Sequence, residues 1–93
     1  MQEARETLDP ALVAQLDSGN LATRSGAYET AARHYMRATE IDATSAAAWF
    51  GVYMSERALG NAEAATEALA RARELAPGAS LLDPEGAEST PPP

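Results

Sequence analysis

Apolar side chains along this chain recur at helical steps and never alternate with polar ones over the length of a strand. Leu8, Leu12 and Leu16 stand four residues apart, and Ala31 and Ala38, like Ala65 and Ala72, stand seven apart. Each set therefore falls on one side of a helix. No alternating Val/Ile/Thr run and no Asn-Gly or Asp-Gly turn occurs, so no strand is expected. The pattern breaks where helix signals fall. Asp9-Pro10 reads as an N-cap followed by proline in the first turn. Gly26 and Gly60 read as left-handed helix ends. Thr44 or Ser45 and Asn61 read as caps, and Pro77-Gly78 as a stop. These signals predict an all-α chain of four helices over about 11–25, 28–41, 45–59 and 62–76.

The second and fourth helices nearly repeat each other. "GAYETAARHYMRATEID", starting at Gly26, returns as "GNAEAATEALARARELA", starting at Gly60. A shift of 34 residues places Gly26 on Gly60, Ala31 on Ala65, Tyr35 on Leu69, Arg37 on Arg71, Ala38 on Ala72 and Glu40 on Glu74. Two adjoining units follow, 12–45 and 46–79, with an acidic segment at 1–11 and an acidic, proline-rich one at 80–93. A fixed period of this size marks stacked helical hairpins. Ala31, Ala38, Ala65 and Ala72 then read as close-approach points, where a larger side chain would overpack the helix pair at a cost of about 1–3 kcal/mol. Tyr35 and Leu69 read as the bulk beside them, and Trp49 as the anchor of the second unit.

Composition narrows the function classes. Net charge is −7, much of it in the terminal segments; residues 12–79 hold six arginines against eight acids. There is no basic stripe to track a phosphate backbone or an anionic lipid surface, so neither nucleic acid nor membrane is an expected partner. No apolar run of membrane-spanning length occurs, and "MQEARETLDP" lacks the form of a secretory leader. The plain reading is a soluble cytoplasmic protein. Cysteine and lysine are absent, which removes thiolate chemistry and the P-loop lysine. The single histidine, His34, has Thr30, Ala31, Arg37 and Ala38 as its helical neighbours. With no carboxylate to orient it and no second ligand at metal spacing, it reads as a packing or surface residue. Glu63, Glu67 and Arg71 read as ordinary helix-surface charges. No catalytic residue, metal or cofactor is expected.

The two units resemble the tetratricopeptide repeat, whose 34-residue unit carries a W-x2-L-G-x2-Y…A-x3-F…P pattern. The second unit has Trp49, Val52 in the leucine place, Ala65-x3-Leu69, Ala72 and Pro77, and departs at Tyr53 and Glu56. The first keeps Gly19, Ala31-x3-Tyr35 and Ala38, with Gln15 for the tryptophan and Ala43 for the proline. The resemblance covers residues 12–79. It implies a short α-solenoid and a non-enzymatic interaction module, an adapter or scaffold for a protein or peptide held on the concave face of the first and third helices. Projected onto this chain, that face takes Val13, Leu16, Asn20, Thr23 and Arg24 from the first helix. From the third it takes Ala47, Phe50, Met54 and Arg57. Leu16, Asn20, Arg24, Phe50, Met54 and Arg57 are the expected partner-binding residues. They suit an apolar segment carrying an acidic group. The chaperone-tail clamp of some members does not fit, since Leu16 and Gly51 occupy two of its polar places.

Stacked repeats usually need about three units to bury their faces, and this chain has two. The alternative expectation is therefore a structural subunit of a homo-oligomer or larger assembly, joined through uncapped helix faces. The outer side of the fourth helix, with Ala68, Leu69 and Leu75, is one candidate face. Leu81 and Leu82 can fold back to cover part of it, and "EGAESTPPP" reads as disordered or extended.

Overall fold

The computed structural model describes residues 9–77, and within them the chain is all α. Four helices form two hairpins: α1 (Pro10–Arg24), α2 (Tyr28–Ile41), α3 (Ala46–Ala58) and α4 (Ala62–Leu75). The expectations for Leu8, Leu81, Leu82 and the proline-rich segment lie outside the described residues. Each helix packs on the next in sequence, and α1 also touches α3.

Local chemistry explains the boundaries. Asp9 accepts the Ala11 amide at 2.8 Å, and Pro10 sits where its missing N–H costs nothing. Gly26 and Gly60 take φ of +79° and +85°, the left-handed region a side chain disfavours. Both turns close identically: the Gly26 amide donates to Thr23 and Ala27 to Ala22, as Gly60 donates to Arg57 and Asn61 to Glu56. Of the two candidate caps for α3, Ser45 is the one that accepts from Ala48. Thr44 instead donates its amide and hydroxyl to Asp42, which holds the Asp42 carboxyl below its ordinary value. Asn61 does not cap α4 with its side chain as expected; its Nδ2 donates to Glu56 Oε1 at 2.6 Å.

The core is made of small residues. Ala31, Ala38, Ala48 and Ala72 are wholly buried, with Ala22, Ala65 and Ala68 nearly so. Larger side chains enter at few points, chiefly Leu12, Tyr35 and Val52. Tyr35 lies between the units. A Cβ at Gly19 would come within 2.6 Å of its ring, and one at Gly51 would overlap the same ring. The aromatic ring of α2 thus occupies space that two glycines, one on α1 and one on α3, leave open.

Comparison across the 34-residue shift shows how the stack ends. α3 buries Ala48, Gly51, Val52 and Ser55. The matching α1 positions are Ala14, Asp17, Ser18 and Leu21, none of them buried. α2 buries Ala32, Tyr35 and Thr39, where α4 has exposed Thr66, half-buried Leu69 and exposed Arg73. The bare apolar face expected on α4 is therefore narrower than the sequence suggests. Ala68 is 2% exposed and belongs to the core with Val52 and Tyr35. Leu75 does stand exposed on α4.

Candidate functional site

Helical phase sets the site. Residues 16, 20 and 23 of α1 and residues 47, 50, 51 and 54 of α3 turn toward one another across the side that α2 and α4 leave uncovered. Between them lies a groove of about 540 Å³, lined by Leu16, Asn20, Thr23, Arg24, Tyr35, Ala46, Ala47, Phe50, Gly51 and Met54. Leu16 packs against both buried clusters of the core, so its outer edge is continuous with the interior.

Five of the six residues named from sequence meet here: Leu16, Asn20, Arg24, Phe50 and Met54. Arg57 does not line this groove. Its Nη1 donates to the Tyr53 hydroxyl at 3.2 Å, and its guanidinium lies 6.0 Å from the Tyr53 ring centre. With Thr23, Met54 and Tyr28 it borders an adjoining hollow, so the groove and the Arg57 hollow share Thr23 and Met54. Val13 is 37% exposed and is absent from the groove wall. Phe50 lies beside Tyr53 with ring centres 5.5 Å apart and ring planes tilted by 38°.

The polar floor was not foreseen. Tyr35 sends its hydroxyl between the helices and donates to Asn20 Oδ1 at 2.5 Å. Thr23 Oγ1 donates back to Gly19 O at 2.8 Å and lies 3.4 Å from the same hydroxyl. With its oxygen engaged, Asn20 presents its amide N–H groups to a ligand, a donor suited to a backbone carbonyl or carboxylate. Arg24, at the end of α1, meets no carboxylate among the described residues. The groove is thus apolar toward Ala46 and Ala47, and cationic toward Arg24.

Elsewhere, His34 Nδ1 and Gln15 Oε1 lie 2.8 Å apart and tie α2 to α1. The amide oxygen can only accept, so the ring nitrogen donates. Arg71 pairs with Glu74 at 3.8 Å rather than Glu67, and its guanidinium sits 5.4 Å from the Trp49 ring centre. Trp49 Nε1 donates to Ala43 O at 2.9 Å, fixing the second unit to the end of the first. Among the described residues no three His, Asp or Glu side chains gather as a metal site, and no helix is long and apolar enough to cross a membrane. No protein-family model matches the chain, and no curated protein matches it.

Proposed function

We propose that the protein is a non-enzymatic interaction module of tetratricopeptide type, which holds an extended or helical peptide in the groove between α1 and α3. The observation that carries this reading is the groove's construction: an apolar stretch of Leu16, Phe50 and Met54 beside the outward donors of Asn20 and Arg24. Such a surface offers apolar anchoring with a small number of orienting polar groups, as ligand sites generally do. An acidic group on the ligand answers Arg24 and Arg57. The chain's chemical inventory points the same way, since its one histidine is engaged with an amide and it has no cysteine or lysine. We read the module as cytoplasmic and as a partner of protein rather than of nucleic acid.

Panning a random peptide library against the full chain tests this. Enriched peptides should carry aliphatic or aromatic anchors next to an acid. Their binding should fall at least about tenfold in Phe50→Ala, a loss of roughly 1.4 kcal/mol, and fall also in Arg24→Ala, with the helical circular dichroism of both variants unchanged. Peptides that bind both variants as well as the parent sink the groove reading.

A second reading, a subunit of a larger assembly, rests on Leu21. It is 59% exposed on α1, at the position where α3 buries Ser55. Light scattering across a concentration series should then show a species that Leu21→Glu dissociates. A monomer at every concentration counts against self-association.

A further inference from the structure

The floor of the groove is a short run of polar groups whose direction follows from its distances. Thr23 gives its hydroxyl hydrogen to Gly19 O at 2.8 Å, inside its own helix. The Tyr35 hydroxyl then has two oxygens near it, Asn20 Oδ1 at 2.5 Å and Thr23 Oγ1 at 3.4 Å. An O–H···O bond runs at about 2.5–3.0 Å, so the Tyr35 hydrogen belongs to Asn20. Turning the Asn20 carboxamide over would put Nδ2 against that hydroxyl. Nδ2 has only hydrogens to offer, and the Tyr35 hydrogen would be left with the 3.4 Å contact alone. Asn20 is therefore held with its oxygen inward. Its Nδ2 finds no acceptor among the described residues and is turned to the groove.

The hydroxyl is fixed from the other side as well. The Tyr35 ring is 5% exposed and fills the space that Gly19 of α1 and Gly51 of α3 leave open. One helix from each hairpin thus clamps the ring, and the clamp sets where its hydroxyl emerges. Asn20 is itself exposed, so this bond is what restrains its carboxamide.

We infer that Tyr35 is the specificity-determining residue of the groove. Through Asn20 it makes the centre of the site a hydrogen-bond donor, which selects ligands that place an acceptor oxygen there. The inference rests on the groove being a peptide site and narrows what that peptide must offer. Leu16, Phe50 and Met54 share the groove wall with Asn20, so a seated ligand takes water away from the amide. A carbonyl or carboxylate oxygen replaces that water. An ammonium or amide N–H meets hydrogen with hydrogen and leaves the donor unsatisfied. Losing one such pairing weakens binding by about threefold to tenfold. Without the Tyr35 hydroxyl the carboxamide is free to turn, and the site takes either polarity. Tyr35 is thus a positioning residue: its ring belongs to the core, and its hydroxyl acts through Asn20.

A double-mutant cycle on affinity tests this, with a peptide panned against the full chain as the probe. Tyr35→Phe keeps the ring, removes only the hydroxyl, and should weaken the peptide about threefold to tenfold. Asn20→Ala should weaken it at least as much. In the Asn20→Ala background, Tyr35→Phe should then make no further difference. Equal losses in both backgrounds mean that the hydroxyl serves only the fold, and overturn the inference. No loss in the parent overturns it too. A second measurement uses the unmutated chain. The Asn20 side-chain NH2 signals of 15N-labelled protein should move downfield when the peptide saturates the groove, as an acceptor takes up a hydrogen. Signals that stay in place overturn the inference whatever the variants do.

The peptide separates the two sources of the acceptor oxygen. With its acidic residue replaced by alanine, a retained dependence on Asn20 assigns a main-chain carbonyl, and a lost one assigns the carboxylate. Both results keep an acceptor at Asn20. A panned peptide that needs Phe50 but shows no coupling between Tyr35 and Asn20 keeps the peptide site and removes this inference alone. A chain that enriches no peptide through Phe50 removes both.

Discussion

The two hairpins share a period and a turn, yet they close their interiors with different chemistry. On α1, Gln15 pairs with His34 of α2 through a hydrogen bond. The corresponding residues of the second hairpin are Trp49, packed against the core, and Ala68, buried within it. A second exchange runs the other way. In the first hairpin the ring comes from α2, as Tyr35, and α1 supplies Gly19 to receive it. In the second, α3 carries Tyr53 and α4 carries Leu69. What a helical repeat conserves from unit to unit is the volume between its helices, not the helix that fills it.

The largest expected break in that comparison comes from removing the shared ring. Tyr35→Ala takes away the ring that lies against both Gly19 of α1 and Gly51 of α3, and truncations of this kind cost about 3–5 kcal/mol. That is a large part of the stability available to a small domain. Leu69→Ala, its half-buried counterpart, should cost about half as much on the same scale. Urea melts followed by circular dichroism measure both, and equal losses would mean the ring is not the joint between the hairpins.

Next in size are the receiving glycines. Gly51→Ala forces the Tyr35 ring to move, an overpacking cost of about 1–3 kcal/mol, set against a helix-propensity gain of roughly 1 kcal/mol. The net effect should be destabilising. In a Tyr35→Leu background the clash is relieved and Gly51→Ala should become stabilising; the same sign in both backgrounds would refute the fit. A third experiment exchanges the interiors. His34→Ala alone should lose about 0.5–1.5 kcal/mol by stranding Gln15, and Gln15→Trp alone should overpack. Together they reproduce the Trp49–Ala68 pair and should recover the parent's stability, a coupling that a double-mutant cycle reads directly. Simple additivity would show that the two pairs are not equivalent.

The smallest effect lies at the junction of the hairpins. The Thr44 hydroxyl, and then the Thr44 amide, hold the Asp42 carboxyl below its ordinary value. A depressed carboxyl adds stability above its unfolded value and loses it as pH falls through the folded one. Thermal melts in acid should therefore fall more steeply for the parent than for Asp42→Asn. No match to Asp42 exists 34 residues on, where Ala76 stands, so the effect belongs to this junction alone.

Most of the fold was legible because helix ends are written locally. Asp9, Pro10, Gly26, Ser45 and Gly60 act within four residues of themselves, and they set the observed boundaries to within about two residues. The groove residues were expected from the resemblance to the tetratricopeptide repeat, with helical spacing supporting their grouping on one face of each helix. Pairings across helices were not. His34 and Gln15 lie 19 residues apart, and counting neighbours along one helix cannot join them. Ala68 shows the remaining gap. Its spacing gives a face of α4, but whether α3 covers that face depends on how the helix is rotated, which the period does not record. The Tyr35–Asn20 bond that orients the groove's amide was hidden for both reasons.

Each helix rests mainly on its neighbours in sequence, and this has a kinetic consequence. Few contacts require a distant part of the chain to arrive first, so contact order is low and the loops closed on folding are short. Such chains fold in microseconds to milliseconds. Either hairpin can nucleate and recruit the other through Tyr35. Force applied to the two ends would meet the hairpins as links in series, one opening while the other holds.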